Sequence, residues 1–104
     1  MFKIYGSKNC PDCRSCKINF DHYKIEYEFI EVLDNLKNLK TFLHYRDTRK
    51  DVFERLIKIG DIGLPAIVDE NDNVFTDWEK YLLDQNLDII YSDNESCSLG
   101  SKGC

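Results

Sequence analysis

Two residues separate a pair of cysteines in Cys10-Pro11-Asp12-Cys13, and Cys16 follows three residues later. Thiols at this spacing suit two chemistries. One is thiol–disulfide exchange, in which a thiolate attacks a disulfide and a second thiol resolves the mixed disulfide. The other is metal ligation, which needs further ligands at suitable spacing. The thiolate is the nucleophile, and an ordinary cysteine is mostly protonated at neutral pH. A helix N-terminus changes that balance, because its unpaired N–H groups and the positive end of its dipole stabilise an anion. Pro11 reads as the first helical residue, where a missing N–H costs nothing. Cys10 is therefore expected to be exposed and attacking. Cys13, one turn inside, is expected to be shielded and resolving.

The neighbours act in both directions. The Asp12 carboxylate suits the helix dipole but opposes a thiolate beside it, whereas Lys8, Arg14 and Lys17 favour one. Cys16 lies about 300° around a helix from Cys13, nearly on the same face. It is either a small buried core residue or a third redox or metal ligand. His22, nine residues from Cys13, falls on the opposite face; it and His44 read as surface histidines. Cys97 and Cys104 lie in a polar segment. They are an incidental pair, a relay that reaches Cys10, or metal ligands. Pro65 opens an apolar run, which implies a strand start or a cis peptide. In a thiol oxidoreductase, a cis proline beside the dithiol leaves backbone groups free to pair with an extended substrate.

The elements that must position these residues follow from periodicity. Residues 2–5 read as a strand closed by Gly6-Ser7, and a helix is expected from Pro11 to about Tyr23. Residues 25–32 alternate, with Ile25, Tyr27 and Phe29 on one face, as in a half-buried strand. Asp34 can cap a helix whose core face is Leu36, Leu39, Phe42 and Leu43. A polar break at Asp47-Thr48-Arg49 precedes a second amphipathic stretch, Val52, Phe53, Leu56 and Ile57, ended by Gly60. Leu64–Val68 and Asn73–Phe75, with turn residues 69–72 between them, read as a β-hairpin. Asp77 caps a last helix that buries Trp78, Tyr81 and Leu82. The class is α/β, in the order β-α-β-α-β-β-α with an enlarged second helical segment. Its sheet has four strands: a parallel pair joined by a crossover helix, plus an antiparallel hairpin.

Length and charge bound the rest. At 104 residues and 42% hydrophobic, the chain supports one domain with a real core. Residues 1–91 read as that domain, and residues 92–104, poor in apolar residues, as a mobile tail. No apolar run approaches the ~20 residues of a membrane span. No basic segment followed by an apolar stretch precedes the first strand, so a cytoplasmic, monomeric protein is expected. The net charge of −5 argues against nucleic-acid and anionic-membrane partners, which require a basic stripe. An odd cysteine count in such a chain points to redox chemistry or metal rather than a disulfide scaffold.

With these residues in place, the chain resembles the glutaredoxin family of the thioredoxin superfamily over residues 2 to about 84. The resemblance rests on Ile4-Tyr5 ahead of Cys10-Pro11-x-Cys13, on Cys16-Lys17, Glu31-Val32 and Leu64-Pro65, and on Thr76-Asp77 before the last helix. It implies a thioredoxin-like fold and disulfide reduction with Cys10 as nucleophile, Cys13 as resolving thiol and Pro65 as a cis proline. It also implies glutathione, or a protein disulfide or reductase, as partner, with no bound cofactor or metal. By the same resemblance, Lys8, Pro11 and Asp12 flank the substrate, the Leu64 backbone holds the cysteinyl part of glutathione, and Thr76 and Asp77 take its γ-glutamyl end. The family's basic residue three positions before the nucleophile is Ser7 here, and its active-site tyrosine is Asp12. The competing reading is a metal- or iron–sulfur-binding protein of the same fold, using Cys10, Cys13, Cys16 and the tail cysteines.

Overall fold

Successive residues of the first strand face opposite ways, so Ile4 and Tyr5 are buried against different sets of neighbours. That strand, β1 (Phe2–Gly6), is covered on both faces in the computed structural model, which describes residues 1–91. Helix α1 (Pro11–His22) carries the chain to β2 (Tyr27–Glu31), which runs parallel to β1 with Phe2 opposite Tyr27 and Ile4 opposite Phe29. Helices α2 (Leu36–Thr48) and α3 (Lys50–Lys58) follow. Strand β3 (Ala66–Val68) then pairs antiparallel with β1, and β4 (Val74–Phe75) antiparallel with β3. Helix α4 (Trp78–Asp84) completes the series. The mixed sheet has the order β2-β1-β3-β4, so the class is α/β with four strands and four helices among the described residues.

The alternation of β1 and β3 builds two cores. Ile4 and Ile67 point to one side, where they meet Cys16 and Phe20 of α1 and Trp78 and Leu82 of α4. Tyr5, Ala66 and Val68 point to the other, against Phe42 of α2 and Phe53 of α3. The Phe42 and Phe53 rings meet edge to face, with centroids 6.3 Å apart. None of the described helices is long and apolar enough to cross a membrane.

Several expected boundaries are corrected. The second strand starts at Tyr27, because the chain leaves α1 through Lys24 at φ 56° and the Ile25 N–H bonds back to the Phe20 carbonyl at 2.9 Å. Asn35, not Asp34, caps α2: it is extended, and its Oδ1 accepts the Asn38 N–H at 2.8 Å. Asp34 is occupied by a turn, with its own N–H on the Glu31 carbonyl. Leu36, expected in the core, is 81% exposed. The polar break shrinks to one residue: α2 runs through Thr48, and only Arg49 separates it from α3. The second helical segment is thus two helices. The hairpin strands are shorter than expected, and Tyr81 is only half-buried. The tail, with Cys97 and Cys104, lies outside the described residues.

Candidate active site

The loop between β1 and α1 brings the thiols to the C-terminal end of a central strand of the sheet. Cys10 occupies the N-cap of α1 in extended conformation, and its Sγ accepts the Cys13 N–H at 3.3 Å. A thiol thereby takes the role that serine or aspartate usually fills. The Cys10 carbonyl accepts the Arg14 N–H, and its own N–H bonds Ser7 O at 3.0 Å. Cys10 is half-buried, whereas Cys13 is fully buried beneath it. Gly6 makes room for that burial. A Cβ at Gly6 would stand 2.9 Å from Cys13 Sγ and 3.2 Å from the Phe29 ring.

These contacts separate the two thiols electrostatically. The Cys13 side chain donates to the Cys10 sulfur and is the main reason the Cys10 pKa falls from 9.0 to about 7. Burial opposes the fall. The Cys13 and Asp12 N–H groups assist it, and the Asp12 carboxylate resists it. Cys13 moves strongly upward, first because it donates to Cys10 and then because it is buried. Asp12 accordingly works against the thiolate. Lys8, Arg14 and Lys17 were expected to favour it, but none is among the causes of the Cys10 shift. Lys17 instead lies over the Phe29 ring, 4.3 Å from its centroid.

Two anchors missed in the sequence hold this loop. Glu31, at the end of β2, accepts the Lys8 N–H at 2.8 Å and the Leu33 N–H at 3.1 Å. Burial works against its charge, but the Lys8 and Leu33 amides hold its pKa below the ordinary carboxylate range. Trp78, at the start of α4, donates its indole N–H to Asp12 at 3.2 Å. An acidic strand end and a tryptophan after a capping Asp77 were the available signals, but neither shows in sequence which loop it will meet.

A groove of about 710 Å³ opens in front of Cys10. Of the residues expected at the site, Cys10, Pro11, Asp12, Leu64, Thr76 and Asp77 line it. Asp77 also caps α4 by accepting the Lys80 N–H at 3.1 Å. Cys13 and Pro65 are buried, and the Leu64–Pro65 bond is cis, as expected. Lys8 is exposed and is not part of the lining; its backbone, tied to Glu31 and to the Arg14 guanidinium, serves the loop instead. Leu33, Arg55, Asp61, Ile62 and Glu79 were missed as wall residues. Gly63, at φ 98°, lets the chain pass the Phe53 ring, which a Cβ would meet at 2.9 Å.

Cys16 does not reach this groove. It packs with Ile4, Phe20 and Trp78 in the core between sheet, α1 and α4, and burial pushes its thiol well up. Among the described residues, no three His, Cys, Asp or Glu side chains come together to hold a metal ion. A second hollow of about 520 Å³, lined in part by Met1, Phe2, Phe75 and Tyr81, contains no thiol.

No protein-family model matches the chain, and no solved structure does. An uncharacterized protein of Haemophilus influenzae is 29% identical over 77 residues, covering 74% of this chain and 88% of that protein.

Proposed function

We propose that this chain is a thiol–disulfide oxidoreductase with a thioredoxin-like fold of glutaredoxin type. The observation that carries the reading is the Cys10 thiol at the N-cap of α1, accepting the N–H of a fully buried Cys13 and facing an open groove. The Cys10 thiolate attacks one sulfur of a substrate disulfide, forming a mixed disulfide and releasing the other sulfur as a thiolate that takes up a proton. Cys13 then loses its proton and attacks Cys10. The Cys10–Cys13 disulfide forms and the second substrate thiol leaves. Two electrons pass from the dithiol to the substrate, and an external thiol or dithiol must restore Cys10 and Cys13. The expected cytosolic setting supplies such reductants.

Pre-reduced protein tests this. Cys10→Ser should abolish reduction of a small neutral disulfide such as hydroxyethyl disulfide. Cys13→Ser should keep the first attack and accumulate a mixed disulfide at Cys10, detectable by mass spectrometry. Full activity in Cys10→Ser would sink the assignment, and trapping on residue 13 in that variant would reverse the two roles.

A further inference from the structure

The groove in front of Cys10 is lined by two unlike kinds of residue. Leu33, Leu39, Leu56, Ile62 and Leu64 supply apolar surface, the leucine wall. Leu33 and Ile62 are 62% and 60% exposed, so apolar surface lies open beside the Cys10 thiol. Around it stand four carboxylates, Asp12, Asp61, Asp77 and Glu79, against one guanidinium, that of Arg55. The Trp78 indole N–H donates to Asp12, the Gly63 amide to Asp61 and the Lys80 amide to Asp77. The two amide donors are neutral, so they orient Asp61 and Asp77 without cancelling the charge of these carboxylates. A substrate entering here meets apolar surface and a negative potential together.

Resting on the oxidoreductase reading, we propose that the groove selects a disulfide borne on an extended, apolar polypeptide segment with lysine or arginine next to the cysteine, and that it discriminates against glutathione. Glutathione has one more carboxylate than ammonium group and little apolar surface. It would bring like charge to Asp12, Asp61, Asp77 and Glu79 and leave the leucine wall uncovered. A cationic apolar segment reverses both terms: its lysines or arginines face the carboxylates, and its side chains cover Leu33 and Ile62. Like-charge juxtaposition rejects wrong partners, and complementary charge speeds encounter, so the selectivity appears mainly in the second-order rate. The chemistry is the exchange described above. The reduced dithiol loses two electrons and two protons to the peptide disulfide and becomes the Cys10–Cys13 disulfide.

Single-turnover reduction by the full-length, pre-reduced protein tests the proposal. Four oxidised substrates are compared: two disulfide peptides of equal length and apolar content, one flanked by lysines and one by glutamates, together with glutathione disulfide and hydroxyethyl disulfide. Formation of the Cys10–Cys13 disulfide is followed by peptide mapping of acid-quenched samples. The lysine peptide should react at least about tenfold faster than the glutamate peptide and than glutathione disulfide. The ratio should collapse as salt rises from 0.1 to 1 M and the screening length falls from about 10 to 3 Å. It should also shrink in an Asp61→Asn/Asp77→Asn/Glu79→Gln variant, in which the two asparagines keep an acceptor for Gly63 and Lys80. The salt series decides the matter if that variant does not fold. Equal rates for the two peptides, or glutathione disulfide as the best substrate, overturn the proposed selectivity while leaving the oxidoreductase reading intact. No reaction with any of the four, hydroxyethyl disulfide included, overturns both.

Discussion

Reactivity at a single sulfur depends on a few close groups, and these can be removed separately. Because the Cys10 pKa is about 7, its alkylation rate should rise through about pH 7 rather than the 9.0 of an ordinary thiol. The largest contribution is the hydrogen bond from the Cys13 side chain, so Cys13→Ala should move that midpoint upward. Cys13→Ser keeps a donor and should move it less. Asp12 acts in the opposite sense. Its carboxylate raises the Cys10 pKa, so Asp12→Asn should lower the midpoint while leaving an oxygen to accept the Trp78 indole N–H. Iodoacetamide labelling of Cys10 against pH, resolved by peptide mapping, measures all three shifts. An upward shift in Asp12→Asn would mean that its hydrogen-bonding role outweighs its charge. Before any fold is known, the motif already placed Cys13 deeper than Cys10, although Cys10, expected to be exposed, is half-buried. The sign of the Asp12 effect stayed open, since it depends on which of several nearby charges and amides actually touch the sulfur.

At the level of elements, local chemistry was readable where a cap and a periodic face coincide. Pro11 and Asp77 marked the starts of α1 and α4 correctly. The start of α2 was not readable, because Asp34 and Asn35 are both good caps. The turn closed by the Asp34 N–H on Glu31 leaves Asn35 as the extended residue. The groove was largely illegible for a related reason. Leu33, Arg55 and Ile62 come from three separate segments and meet only after α2 and α3 pack against the sheet. The contact between β1 and α1 is an element-scale feature with a sharp test. Gly6 lets the strand approach Cys13 within the reach of a single methyl group, so Gly6→Ala must displace either Cys13 or the Phe29 ring. Overpacking of this kind costs about 1–3 kcal/mol. Urea denaturation should show that loss, accompanied by a shift in the Cys10 alkylation midpoint because the Cys13 donor moves. Destabilisation without a change at Cys10 would mean that Phe29 gives way instead.

Across the whole molecule, α1 is held at both ends, and only one end carries the thiol pair. Its N-terminus carries Cys10 and Cys13. Near its C-terminus, Asn19 is fully buried and works as a clamp. Its Nδ2 donates to the Ser15 carbonyl at 2.8 Å and to the Ile90 carbonyl at 2.9 Å, while its Oδ1 accepts the Ile90 N–H at 2.7 Å. The Tyr23 hydroxyl adds a bond to the Asp88 carbonyl, and Leu87 and Ile89 pack on the core between α1 and α4. The segment after α4 is thereby fastened across the molecule to the helix that presents the thiols. Asn19→Leu keeps the branched shape, though with bulkier methyl groups, and leaves the Ile90 N–H and carbonyl without their partner, which costs about 1–3 kcal/mol where water cannot enter. A helix rises about 1.5 Å per residue, so Asn19 stands roughly 13 Å from Cys10, and exchanging one uncharged side chain for another there removes none of the groups that shift the Cys10 thiol. The variant should therefore lose stability in urea and exchange its Ile90 amide hydrogen faster, while Cys10 keeps its alkylation midpoint near pH 7. Such local loosening at one end of α1, with the thiol chemistry unchanged at the other, separates the clamp from the candidate active site. A shifted Cys10 midpoint would show instead that the two ends of α1 move as one.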